Sequence, residues 1–287
     1  MVQGRRARSR VHPTREVVWF VVLAYAISWA WWVPLAVSGT VVDRGRGWPT
    51  HLLGLLGPAL AALVVTGMFA GRPGLLELGA RVVRWRVGWV WYGLIAATAA
   101  LAAVPLLTGS DVVLGDLVVY SGAPAVGVAV VLYVLVINGF GEEIGWRGFL
   151  AEHLLRETST GRTALIIWPI WGLWHLPLFW VVASFRDFGV AGTIGWAVGI
   201  GFGSVFLTWL YQSAGHSILI VALWHTAYNF TTATEASAGA AAAIASTVVI
   251  VAGVVILRRP STWRSPLDRA DADGSRAPSL EPVDDER

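Results

Sequence analysis

Long apolar runs with almost no charge inside them constrain this chain more than any other feature. Between residues 17 and 257 most runs reach the roughly 20 apolar residues that cross a bilayer core. They lack the period-2 alternation of strands, so they are expected to be helices that satisfy their own backbone groups in lipid. Charged residues make up only 14% and hydrophobic residues 56% of the chain. That excludes a disordered protein and argues strongly against a soluble enzyme. The expected fold is all-α and polytopic, with about eight transmembrane helices at 17–38, 51–70, 87–108, 123–155, 163–184, 190–212, 216–234 and 239–257. Breaks are expected at Asp43 to Pro49, Gly71 to Gly74, Gly109 to Asp116 and Gly215. The first run is too long for a signal peptide and has no small-residue cleavage site ahead of a soluble region.

Every basic residue is arginine, and cysteine is absent, so thiolate metal sites, disulfides and cysteine nucleophiles are excluded. Arginine placement predicts orientation. Arg5, Arg6, Arg8, Arg10 and Arg15 precede helix 1, and Arg72, Arg81, Arg84 and Arg86 follow helix 2. Arg156 and Arg162 follow helix 4, and Arg258, Arg259 and Arg264 follow helix 8. The alternate loops hold only Arg44, Arg46 and Arg186. The expected protein is a multi-pass protein of the cytoplasmic membrane with both termini cytoplasmic. It divides into a basic segment at 1–16, a helical domain at 17–258 and a disordered tail at 259–287. Its surroundings are the lipid bilayer, and no nucleic-acid partner is expected.

Charged groups within a span cost about 2.5–3.5 kcal/mol each at the helix centre, so they are functional candidates by default. Helix 4 carries Glu142, Glu143 and Arg147 in Asn138-Gly-Phe-Gly-Glu-Glu-Ile-Gly-Trp-Arg147. Glu143 and Arg147 are spaced i,i+4 with the acid first, the favourable order for a structural ion pair. Glu142 lies about 100° round the helix and has no local cation. Helix 5 carries His175, and helix 7 carries His225 and Asn229 on one face. Counting from the cytoplasmic helix ends puts Glu142, His175 and His225 about 15–20 Å deep, on the inner side of the midplane. His12, His51, His153 and His216 lie at or near helix ends and read as structural or surface residues.

A carboxylate, two imidazoles and an amide in a pocket of low dielectric can cleave an amide. The glutamate would take a proton from water, while a histidine and the asparagine stabilise the oxyanion. Alternatively, Glu142, His175 and His225 would hold a divalent metal such as Zn²⁺, leaving a position for the water. Spacing leaves both open. There is no H-E-x-x-H helix and no G-x-S-x-G nucleophile with a matching base.

At these residues the chain resembles the CPBP family of intramembrane proteases. This is the CAAX-protease and bacteriocin-processing (Abi) family, related to the type II CAAX prenyl endopeptidases. Glu142-Glu143-x-x-x-Arg147, Trp171-x-x-x-His175 and His225-x-x-x-Asn229 carry the resemblance, with a motif core at 138–230. It implies that Glu142 activates water and that Glu143, His175, His225 and Asn229 complete the catalytic set, with Arg147 in support. It also implies a peptide or protein substrate, lipidated in some relatives; the depth of the polar set puts the expected cut near the cytoplasmic side. The second motif commonly begins with Phe, where this chain has Trp171. Trp146, Trp171, Trp174 and Trp224 are expected to wall the pocket against water. A non-catalytic membrane partner, as in bacteriocin self-immunity, and an ion-coupled transporter are the rival classes.

Overall fold

The computed structural model describes residues 14–107, 111–237, 239–266 and 268. Most of the N-terminal arginine cluster, His12 and most of the tail lie outside the described residues. The described chain is a helical bundle without strands, joined at one end by isolated bridges Val42–Val182, Arg44–Ser121 and Tyr120–Thr234. We label its principal helices α1 (Arg15–Val37), α2 (Gly57–Val82), α3 (Trp89–Ala100), α4 (Ala129–Leu155), α5 (Thr160–Trp174), α6 (Gly189–Ser213), α7 (Ile218–Thr232) and α8 (Ala240–Arg258). Thr14, Ser159 and Ser217 cap α1, α5 and α7 through side-chain oxygens that accept backbone N–H bonds.

Among the described residues, seven helical segments are long and apolar enough to cross a membrane. The exception is α7, expected at 216–234. Its 15 residues reach only about 22 Å, short of a hydrocarbon core of about 30 Å. It can be short because it is packed in protein: Ile220, Val221, Ala222, Trp224 and His225 are all buried. The expected break at Gly71 to Gly74 is a kink rather than a loop. Gly71 has φ +60°, a left-handed value that glycine tolerates, and the helix resumes behind Pro73. Arg72 and Arg81 therefore lie on α2 and not in a connection. Helix 4 begins at Ala129, later than the expected 123, because Tyr120 and Ser121 are held in bridges. The chain is still packed where the tail was expected to have begun: Thr262 is buried in a 3₁₀ turn, and Trp263 lies over Gly161.

Around the carboxylates α4 is not a regular α-helix. Residues Leu135–Phe140 and Trp146–Ala151 are π-helical, flanking a single α-helical turn, Gly141–Gly145. π-Bulges re-aim side chains and occur often at functional sites. Glycines let neighbours close on this stretch. A Cβ on Gly139 would stand 2.6 Å from Thr226 Oγ1, one on Gly141 2.8 Å from the Leu55 carbonyl oxygen, and one on Gly145 2.6 Å from the Pro58 carbonyl carbon. Close packing and local distortion thus coincide beside Glu142. Gly145→Ala is expected to destabilise the protein by about 1–3 kcal/mol, since the obstruction is Pro58 backbone. A thermal-unfolding midpoint in detergent equal to that of wild type would contradict this.

Candidate active site

The site is built where α4, α5 and α7 meet. Glu142 lies on α4, buried, thirteen residues from either end of Ala129–Leu155. Its Oε2 accepts a hydrogen bond from Trp171 Nε1 at 2.7 Å. Oε1 has no hydrogen-bond partner among the described residues, and the side chain lines a cavity of 650 Å³. A base held by one oxygen and open at the other is suited to taking a proton from a bound water.

Glu143 faces the other way. Its side chain is fully buried, and its Oε1 accepts from Arg147 Nη1 at 3.0 Å and from His225 Nδ1 at 2.7 Å. The i,i+4 pair expected from spacing is present. The bond to His225, 82 residues away, carries no local signal in the sequence. Glu143 does not line the cavity; it stands behind His225 and fixes that ring so that Nε2 is the free nitrogen. His175 is treated alike by the backbone: its Nδ1 donates to the Trp171 carbonyl at 2.7 Å, again freeing Nε2. Asn229 Nδ2 donates to Asn138 Oδ1 at 2.8 Å, leaving its second amide proton for another acceptor. Glu142, His175, His225, Asn229 and Asn138 all line the one cavity.

Trp171 has a larger role than aromatic packing. Its indole N–H holds Glu142, its carbonyl holds His175, and its ring lies under the Arg147 guanidinium at 4.5 Å from the centroid. Phenylalanine would keep the backbone carbonyl and an aromatic face but not the indole N–H that holds Glu142. Trp171→Phe is expected to lose about 10- to 100-fold in turnover, the value of a hydrogen bond to a charged group, while the fold survives. A wild-type rate would show that Glu142 needs no such support. Of the other tryptophans expected to wall the pocket, Trp224 lines it, whereas Trp146 and Trp174 are fully buried behind it.

Two further residues line the cavity: His51, expected to be structural or at the surface, and Tyr120, which the sequence did not single out. His51, which precedes the 3₁₀ turn Leu52–Leu56, is buried, and its Nδ1 has no hydrogen-bond partner among the described residues. Tyr120 lies in a bridge, and its ring packs on Phe230. Burial, and then the nearby Glu142 carboxylate, raise its phenol above the ordinary range, so it remains a donor at working pH. Neither residue belongs to a periodic pattern or a motif, so nothing short of the fold could have selected them. His153 and His216 are structural: they pair with Glu16 at 3.2 Å and Glu152 at 2.7 Å.

For a metal, the free Nε2 atoms of His175 and His225 are suitable ligand types, with the far nitrogens anchored as metal-binding histidines usually are. The placement does not follow. Among the described residues no three His, Asp or Glu side chains converge closely enough to form an ion's ligand set.

A family model described as type II CAAX prenyl endopeptidase, Rce1-like, matches residues 124–231. Over that segment the chain is similar to the Rce1-like proteins. The resemblance drawn from the three motifs is thereby borne out. Over 105 residues the chain is 27% identical to a protein of Methanococcus maripaludis named CAAX prenyl protease 2, a stretch covering 34% of this chain. The matched stretch spans 38% of that relative, well under half its length. The Rce1-like segment contains Asn138, Glu142, Glu143, Arg147, Trp171, His175, His225 and Asn229. His51 and Tyr120 reach the same cavity from outside it.

Proposed function

We propose that this protein is an intramembrane endopeptidase in which Glu142 activates water. The observation that carries the reading is the buried Glu142, held on one oxygen by Trp171 and open on the other in a cavity shared with His175, His225 and Asn229. The Rce1-like segment supports the reaction class.

The steps follow from the residues. A peptide bond enters the cavity with its carbonyl carbon toward Glu142. Glu142 takes a proton from water as the oxygen attacks that carbon. Negative charge develops on the carbonyl oxygen, where Asn229 Nδ2–H is available as a donor. His225, with the Glu143 carboxylate at 2.7 Å behind its Nδ1, can carry a proton on Nε2 and share that load. Collapse of the tetrahedral intermediate breaks the C–N bond, and the proton taken by Glu142 passes to the leaving amine. Arg147 does not touch the substrate; it balances Glu143.

The test is reconstitution in lipid vesicles with a pool of apolar peptides, scored for new termini by mass spectrometry. Wild-type protein is expected to generate products that Glu142→Gln does not. Products unchanged in the variant would overturn the proposal and favour a non-catalytic role.

A further inference from the structure

The two ends of the bundle are chemically different. One end carries Arg15, Arg81, Arg84, Arg156, Arg162 and Arg258. Side chains tie it together: Arg81 to Glu152 at 3.0 Å, His216 to Glu152 at 2.7 Å and Thr160 to Gln212 at 2.5 Å. The opposite end holds Arg44, Arg46 and Arg186 beside Asp43, Asp116, Asp187 and Glu235, and is tied by the three backbone bridges. An excess of arginine in short connections marks the cytoplasmic face.

The cavity belongs to the arginine-poor end. Its half-buried and exposed lining includes Arg44, Ser184, Phe185, Phe188 and Gly239, all at that end. No lining residue comes from the arginine-rich end. Below Glu142 the way is filled by Trp146, Arg147, Leu150 and Ile218, none measurably exposed. The expected position on the cytoplasmic side rested on depth alone, which does not say which way a cavity opens. The walls also spread toward its mouth. Gly253 of α8 lies against Phe202 of α6, where a Cβ would approach the ring to 2.7 Å. Higher up, Gly195 of α6 and Gly239, the residue that precedes α8, have nothing within 4 Å of a Cβ position, and Phe185, Phe188 and Trp196 form an apolar rim.

We propose that the site draws its substrate from the extracytoplasmic side, as an extended apolar segment of an exported or membrane-anchored protein entering between the upper halves of α6 and α8. That the segment is then cut rests on the peptidase reading above; the direction of entry does not.

The absence of cysteine makes the test direct. Single-cysteine variants Asp187→Cys and Ser184→Cys mark the mouth, and Glu157→Cys marks the other end. Intact cells are treated with a membrane-impermeant maleimide before and after permeabilisation. The thiols of Asp187→Cys and Ser184→Cys are expected to react in intact cells, and that of Glu157→Cys only after permeabilisation. Ser184 is half-buried, so if the thiol introduced there reacts slowly the exposed position 187 reports alone. The reverse pattern would overturn the proposal, whether or not the protein is a peptidase. In vesicles, a bulky maleimide on the Ser184→Cys variant is expected to abolish peptide cleavage while leaving the folded protein intact. The expected labelling pattern without any proteolysis in the unmodified protein would support the direction of entry and contradict the peptidase reading alone.

Discussion

Arg147→Met is expected to leave little folded protein in the membrane. Arg147 and Glu143 are both fully buried, 3.0 Å apart. Removing one partner of a buried pair leaves the other charge uncompensated, at a cost of about 3–5 kcal/mol. The Glu143 carboxylate would then face His225 alone, which disturbs the hydrogen bond that sets the His225 ring. Trp171 would lose the cation over its face, loosening the support of Glu142. The measurement is monodisperse yield in mild detergent together with the thermal midpoint. The double variant Glu143→Gln/Arg147→Met separates charge from shape, because both charges leave together. It is expected to recover much of the yield but little activity, since a neutral amide no longer balances a proton on His225. Wild-type stability in Arg147→Met would show that the buried Glu143 does not depend on the Arg147 charge beside it on α4.

Glu142→Gln is expected to abolish cleavage without disturbing the fold. Glutamine keeps the volume and can still accept from Trp171 Nε1, now 2.7 Å from Glu142 Oε2. Only the capacity to take a proton is lost. General base catalysis contributes about 10²–10⁴-fold, so turnover is expected to fall by that much or more. Yield and thermal midpoint should match wild type or exceed it, because a buried charge has been removed. That asymmetry between the two variants, one losing the fold and the other only the reaction, distinguishes adjacent acids that look alike in the sequence.

The all-helical, membrane-spanning character was legible because it depends on composition over long windows. The Glu143–Arg147 pair was legible because i,i+4 geometry is local. Whatever depended on packing was not. Glu143 to His225 joins α4 to α7, and no spacing rule says which faces of two helices meet. The kink at Gly71 read as a loop because Gly-Arg-Pro-Gly carries turn chemistry, yet Leu78 beyond it is buried and keeps α2 on the bundle. α7 read as a span because it is apolar, although its neighbours provide the apolar surroundings that lipid would otherwise supply. Trp171 was noticed as an exchange for Phe, but its value lies in one N–H whose partner only the fold reveals. The depth count put the polar set on the inner side of the midplane and said nothing about the direction in which its cavity opens.

Proteolysis by this protein is expected to require Glu142. The measurement is a comparison of membrane-protein termini in native cells carrying either wild-type protein or Glu142→Gln at equal expression. New termini that appear with wild type and vanish with the variant are the predicted result, and they would name the substrate. A wild-type phenotype fully restored by Glu142→Gln, with identical termini in both strains, would contradict it.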